Sequence, residues 1–200
     1  MIIHQNSNYA TNILYKNLIL EIIESDLFND RSYFISAPVR TKENIGQNDI
    51  THDKVRLYYQ NKIKKYHRAF YHNKIKTLEK SLLSKVNPDD IEMIHAMFQF
   101  TDGGVAYEIY KKHKIPYIIS VKDTDLNIFY KYLFHLRSYG HEIIKHASKV
   151  IFLTPCYREK LISTYLPQEL HSDLQQKSKV IPNGIDNFWH QNTGVPKKLS

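Results

Sequence analysis

"IEMIHAMFQFTDGGVAYEIYKKHKIPYIISVKDTD", residues 91–125, carries the alternation on which the fold turns. Residues 91–97 form a short apolar run of strand length. Residues 104–112 repeat apolar side chains at helical spacing, and residues 116–121 (PYIISV) are again an apolar run, closed by charge. Working outward, the same rhythm continues downstream: residues 125–146 read as largely helical, 149–153 (KVIFL) as a strand, 157–165 as a helix and 178–181 as a last strand. Upstream, residues 1–4 and 33–37 (YFISA) read as strands. Between them Ile13, Leu14, Leu18, Ile19, Ile22 and Ile23 recur at helical spacing behind the cap residues Asn6, Ser7 and Asn8. Residues 45–51 are a polar connection. Residues 52–84 read as one long helix or two, because Val55, Tyr59, Ile63, Tyr66 and Phe70 form a stripe continued by Tyr71, Ile75, Leu78 and Leu82. Strands separated by helices favour a parallel sheet covered on both faces, so the expected class is α/β, doubly wound and mainly parallel.

The chain has 200 residues, 42% of them hydrophobic, which suits one large domain with a real core. No apolar stretch is long enough to span a bilayer: residues 13–23 are interrupted by Lys16, Asn17 and Glu21. Nothing at the N-terminus has the pattern of a secretory leader, and the single cysteine, Cys156, cannot form an internal disulfide. A cytoplasmic protein is expected. The formal charge of +8 implies an acidic partner: nucleic acid, an anionic membrane surface or a phosphorylated small molecule.

In doubly wound sheets ligands bind at the carboxyl ends of the strands, and those ends are unusually polar here. "FTDGG", residues 100–104, sets Thr101, Asp102, Gly103 and Gly104 at a helix start, where free N–H groups can hold an anion or a hydroxyl. An ordinary strand-to-helix turn would look the same. "SVKDTD", residues 120–125, places Lys122, Asp123 and Asp125 beyond a buried strand, as a substrate clamp or as a solvated loop with a helix cap. There is no GxGxxG, no phosphate-loop lysine signature and no histidine spacing of a zinc site, so no metal or cofactor is assigned. Cys156 at a helix start reads as a small buried residue rather than a nucleophile. Between residues 52 and 80, Lys62, Lys64, Lys65 and Arg68 lie among aromatics that include Tyr71. That pattern suits an anionic membrane surface or RNA, and equally a solvated helix face.

Taken in order, residues 94–125, "ASKVIFLTPCYREKL" (147–161) and "VIPNGIDNFW" (180–189) resemble the N-terminal half of family 4 glycosyltransferases. The opening "NYATNILYKNLILEII" (8–23) is similar to the first loop and helix of that half. The resemblance implies one Rossmann-like half of a GT-B fold, in a retaining enzyme that binds its substrates between two such domains. It implies that residues 1–189 are the acceptor-side domain and that residues 190–200 lead toward a second, donor-binding domain. The turn at Asn183-Gly184 would close the first half, and as a strand end both residues are also candidates for the substrate cleft. On the same resemblance His95, Thr101 to Gly104, and Lys122 to Asp125 would face the transferred sugar and acceptor, and Asn6, Ser7, Asn8 and Tyr9 would lie near the donor phosphates. Two positions depart from the family pattern: Met97 stands where a second histidine is common, and Lys122 where many members have histidine. The implied partners are a nucleotide sugar, a glycan or lipid-linked acceptor and an anionic membrane surface. Readings from other classes are a non-catalytic binding module of the same fold and a nucleic-acid-binding protein.

Overall fold

The computed structural model describes residues 1–25 and 30–184. Among these residues seven strands form one sheet: β1 (Ile2–Gln5), β2 (Tyr33–Pro38), β3 (Val55–Gln60), β4 (Met93–Ala96), β5 (Tyr117–Val121), β6 (Lys149–Phe152) and β7 (Ser178–Val180). Their order is β3-β2-β1-β4-β5-β6-β7, and every pair is parallel. The chain steps outward from β1 to β3, crosses back to lay β4 on the other side of β1, and steps outward again to β7. That reversal leaves a crevice between the ends of β1 and β4.

Among the described residues six α-helices join the strands: α1 (Ile13–Glu24), α2 (Tyr71–Leu83), α3 (Thr101–His113), α4 (Arg137–His146), α5 (Pro155–Lys160) and α6 (His171–Lys177). Alternation along the strands sorts their side chains to two faces. Ile3, Ile94, Tyr117, Ile119 and Val150 belong to the larger core, with Ile75 and Leu78 of α2, Val105 and Ile109 of α3, and Ile143 and Ile144 of α4. Ile2, Tyr33 and Ile35 face the other way and pack with Ile19 and Ile23 of α1 in a smaller core. Helices thus cover both faces, as expected of a doubly wound sheet. α3 is the central element: every residue from Asp102 to Ile109 is buried.

The largest departure from the sequence reading is at residues 52–84. Residues 55–60 are the edge strand β3, residues 65–68 a single 3-10 turn, and only residues 71–83 are α-helical. Tyr71, expected among the membrane-contact residues, is instead buried, and its hydroxyl donates to the Phe100 carbonyl at 2.6 Å. α1 is capped by Asn12, whose side chain accepts from the Leu14 N–H at 3.0 Å, rather than by residues 6–8. α3 begins at Thr101, earlier than expected, and α6 occupies a stretch assigned no element. Cys156, in the first turn of α5, is exposed rather than buried. Among the described residues no helix is long and apolar enough to cross a membrane. The later half of the 180–189 motif and the 190–200 tail lie outside the described residues.

Candidate functional site

β1 and β4 run in register across the crevice, so His4 pairs with His95 and Gln5 with Ala96. The end of β1 is polar yet buried, with Gln5 and Asn6 fully inaccessible. The two imidazoles meet edge to face at 5.1 Å. Burial, and then the nearby Lys122 cation, push His95 down to about 4. Burial, and then His95, hold His4 well below the usual histidine range. Both rings are therefore neutral near pH 7, each able to offer one donor and one acceptor to a hydroxyl. By strand alternation Lys122 lies on the same sheet face as His95, since His95 is in register with Ile118 and Lys122 lies four residues on. Tyr15 of α1 completes this side, its phenol pushed up to about 12 by burial and by the Asp102 and Asp125 carboxylates.

Two buried carboxylates hold the loops of the crevice in place. Asp102, in the first turn of α3, accepts from the Ser7 N–H at 3.0 and 3.1 Å and from the Ser7 hydroxyl. Burial raises it to about 7, against the pull of those Ser7 hydrogen bonds. Asp125 accepts from the backbone N–H groups of Lys122 at 2.9 Å, Phe100 at 3.1 Å and Gln99 at 3.2 Å. Burial raises it to about 6 against those bonds. Its donors are all backbone, so its role is to tie the β4–α3 turn to the end of β5. Asn6 accepts from the Asn8 N–H at 3.0 Å, closing a local turn. Tyr9 is locked to Asn48 by reciprocal bonds of 3.0 and 2.7 Å.

Several buried polar atoms at this edge have no hydrogen-bond partner among the described residues: His4 Nε2, Gln5 Oε1, Asn6 Nδ2, His95 Nε2, Gln99 Oε1 and Thr101 Oγ1. Each such atom costs about 1–3 kcal/mol unless something pairs with it. Their clustering at the strand ends β1 and β4 marks the place where a polar ligand or ordered water must sit. Alongside, a cleft of about 330 Å³ opens among the loops after β1, β2, β4 and β5; Ser7, Asn8, Arg40, Lys74, Thr101 and Thr124 line it. A larger hollow of about 510 Å³ between α5 and α6, lined by Arg158, Glu159, Ile162, Ser163 and Gln175, contains none of these groups and is not the site.

The structure brings together Asn6, Ser7, Asn8, His95, Thr101, Asp102 and Lys122 from the expected set. It gives others a packing role. A Cβ on Gly103 would lie 3.1 Å from Ile119 and Ile143 methyls, and one on Gly104 would lie 2.7 Å from the Tyr71 hydroxyl. These glycines therefore let α3 approach its neighbours. Asp123 is exposed and accepts from Asn127 and, at 3.4 Å, from the Tyr157 hydroxyl. Asn183 and Gly184 are exposed beyond the edge strand β7, and a Cβ on Gly184 would meet nothing. Lys62, Lys64, Lys65 and Arg68 are exposed on the loop after β3. Sequence reasoning missed Lys74, Arg40 and Tyr15, which sit on helices or connections whose packing alone brings them to the crevice.

No protein-family model matches the sequence, and no curated protein matches it. Among solved structures, a sucrose-phosphate synthase from Thermosynechococcus elongatus superimposes with a TM-score of 0.62 at 11% identity, over 92% of this chain and 90% of that one. A UDP-GlcNAc 2-epimerase from Neisseria meningitidis, bound to UDP-GlcNAc, gives a TM-score of 0.56 at 16% identity, over 92% of this chain and 47% of that one. The epimerase from Rickettsia bellii gives 0.53 at 15%, over 91% and 44%. The chain spans about half the length of these epimerases. At such identities the likeness establishes the architecture: a Rossmann-like, parallel, doubly wound domain of the kind that makes one half of a GT-B fold.

Proposed function

We propose that this domain is the acceptor-side half of a retaining glycosyltransferase, which takes a sugar from a nucleotide-sugar donor to a glycan or lipid-linked acceptor in surface polysaccharide synthesis. The observation that carries the reading is the set of buried polar atoms at the β1–β4 crevice that have no partner among the described residues, with two neutral imidazoles among them. Such groups suit hydroxyls better than ions, because each imidazole can donate to one oxygen and accept from another. The ordered motifs shared with family 4 glycosyltransferases support it, as do structural neighbours whose own names concern sugar phosphates and UDP-GlcNAc. In this reaction the nucleoside diphosphate leaves the anomeric carbon as the acceptor hydroxyl arrives on the same face. The protein then mainly positions reactants and stabilises charge on the leaving phosphate. His95 and His4 hold sugar hydroxyls, Lys122, pushed down by burial and held up by the Asp125 carboxylate, adds a positive charge beside them, and the Ser7–Asp102 link keeps the first loop shaped for the ligand. A second domain supplies most donor contacts.

The loop after β3 extends the reading toward a membrane. It exposes Lys62, Lys64, Lys65 and Arg68 with Tyr66 at 48% and Phe70 at 63% exposure, a combination that suits an anionic bilayer surface.

The test is a titration of the isotope-labelled chain with a panel of nucleotide sugars and free sugars, followed by NMR. Shifts at His4, His95 and Lys122 that weaken about tenfold or more in His95→Ala support the reading. Binding without turnover once a donor-binding half is supplied favours a non-catalytic binding module. No shift at these residues with any sugar overturns the proposal.

A further inference from the structure

The cleft beside the crevice has a chemistry that the sugar-binding groups do not explain. Lys74 projects into it from the first turns of α2 and Arg40 from the connection after β2. No carboxylate among the described residues lines it: the remaining polar lining is hydroxyl and amide, from Ser7, Asn8, Thr11, Asn44, Thr101 and Thr124. The nearest acid, Asp102, is buried, and its oxygens are already taken by Ser7. The Lys74 side chain is half-buried yet has no ion pair or hydrogen bond among the described residues, and its ammonium lies 5.8 Å from the centre of the Tyr71 ring. Burial lowers it to about 8; the Asp102 carboxylate pulls it back up, and Arg40 pushes it down. The Arg40 side chain likewise has no ion pair or hydrogen bond among the described residues. A half-buried lysine and an exposed arginine share one cleft whose described lining is otherwise hydroxyls, amides and apolar groups, and the single acid that acts on Lys74, Asp102, is engaged by Ser7; together they form an anion site. Its Arg matches the fork geometry of phosphate oxygens and its Lys the point charge.

We infer that the Lys74–Arg40 cleft is a subsite for a phosphate monoester carried by the acceptor, so that the acceptor class is phosphorylated rather than a neutral glycan. This rests on the acceptor-side reading of the crevice, but the anion site itself does not. A phosphate fits: the cleft volume of about 330 Å³ is at the small end of ligand sites and leaves room for part of the group that bears it. The Thr101 hydroxyl, which has no partner among the described residues and lines the cleft, and the exposed Asn8 supply further hydrogen bonds. The phosphate could belong to a soluble sugar phosphate or to a lipid headgroup.

The experiment uses the whole chain and three probes at constant ionic strength. These are inorganic phosphate, glucose 1-phosphate, and phosphatidylcholine vesicles with and without phosphatidic acid; chloride and glucose are the controls. NMR follows the amides of Ser7, Asn8 and Thr101. Inorganic phosphate and at least one ester should shift these amides, and Lys74→Gln should weaken the binding about tenfold or more, with Arg40→Gln losing less because it is exposed. Glucose 1-phosphate as the better ligand identifies a soluble sugar phosphate as the source of the anion, and phosphatidic acid vesicles a lipid headgroup. Lys74→Gln removes a half-buried cation that makes no hydrogen bond or ion pair among the described residues, and the circular-dichroism melt checks that the variant folds like the parent. Phosphate shifts that Lys74→Gln leaves intact, or no shifts with any phosphate, overturn the anion site. Phosphate binding in a chain whose His4 and His95 respond to no sugar would keep the anion site and discard the acceptor reading.

Discussion

His95 and Asp102 sit at one strand edge, buried in opposite senses of charge, and their titrations pull stability in opposite directions. Burial lifts Asp102 from an ordinary value of 3.8 to about 7. The folded chain therefore holds a proton that the unfolded chain releases, and stability falls as pH rises from about 4 to about 7. His95 is pushed from 6.5 to about 4, so the unfolded chain takes up the proton first and stability falls as pH drops from 6.5 toward 4. Asp102→Asn removes only the first slope. It should gain about 2–3 kcal/mol relative to the parent on going from pH 5 to pH 8, since a tenfold difference in proton affinity between the folded and unfolded chain is worth about 1.4 kcal/mol. Urea midpoints of both proteins at the two pH values decide the matter: an equal difference at pH 5 and pH 8 would mean that Asp102 is already ionised in the native state. The carboxylate keeps its place because of Ser7. A lone aspartate so deeply buried would be hard to hold, but the Ser7 N–H and hydroxyl hold both the carboxyl group and the loop.

Where helices meet, the same residues that invited a ligand-binding reading prove to be spacers. Gly104 lies under Tyr71, and its position allows the Tyr71 hydroxyl to reach the Phe100 carbonyl at 2.6 Å while α2 packs on α3. Gly104→Ala would place its methyl 2.7 Å from that hydroxyl and 3.0 Å from an Ile75 carbon. It should cost about 1–3 kcal/mol by overpacking. Tyr71→Phe removes the clashing oxygen at the loss of one hydrogen bond, so the double variant should be destabilised by less than the sum of the singles; strict additivity in thermal or urea unfolding would locate the strain elsewhere. The strand–helix–strand rhythm from residue 91 onward was readable because apolar runs of strand length alternate with helical spacing. The β3 edge was not, for a geometric reason. Val55, Tyr59 and Ile63 are four apart, and residues four apart share a face in a helix of period 3.6 and in a strand of period 2 alike. The intervening Leu57, two from each neighbour, was the sign of a strand, and β-branched and aromatic residues at 55, 58 and 59 reinforce it. The strand-end rule pointed in the sequence to the loops that border the crevice, yet Lys74 was hidden because a lysine on a predicted basic helix face looks like every other lysine there. Only the crossover from β3 to β4 brings it over the first loop.

The two faces of the sheet are unequally protected, and that asymmetry predicts how the molecule opens. α3 is buried along eight consecutive residues, between α2 and α4, with Glu108 and Glu79 paired to Lys111 and Lys112 at its far end. The opposite face rests on α1, which buries Ile19 and Ile23 but exposes Ile13 at 52% and Leu14 at 44%, and it joins a much smaller core. Apolar burial supplies most of the free energy that resists opening, at about 25 cal/mol per Å². The α1 layer should therefore open at lower free energy than the α3 layer, as a sub-global unit containing the first loop. Native-state hydrogen exchange read by mass spectrometry tests this: amides of α1 should exchange at least about tenfold faster than those of α3 and the central strands β4 and β5. Ligand entering the crevice contacts residues 6–8 at the mouth of α1, so saturating ligand should slow α1 while leaving α3 almost unchanged. Equal protection of the two layers without ligand would mean that the sheet opens as one cooperative body. The first loop would then be preformed, and the Ser7–Asp102 link would be set before any ligand arrives.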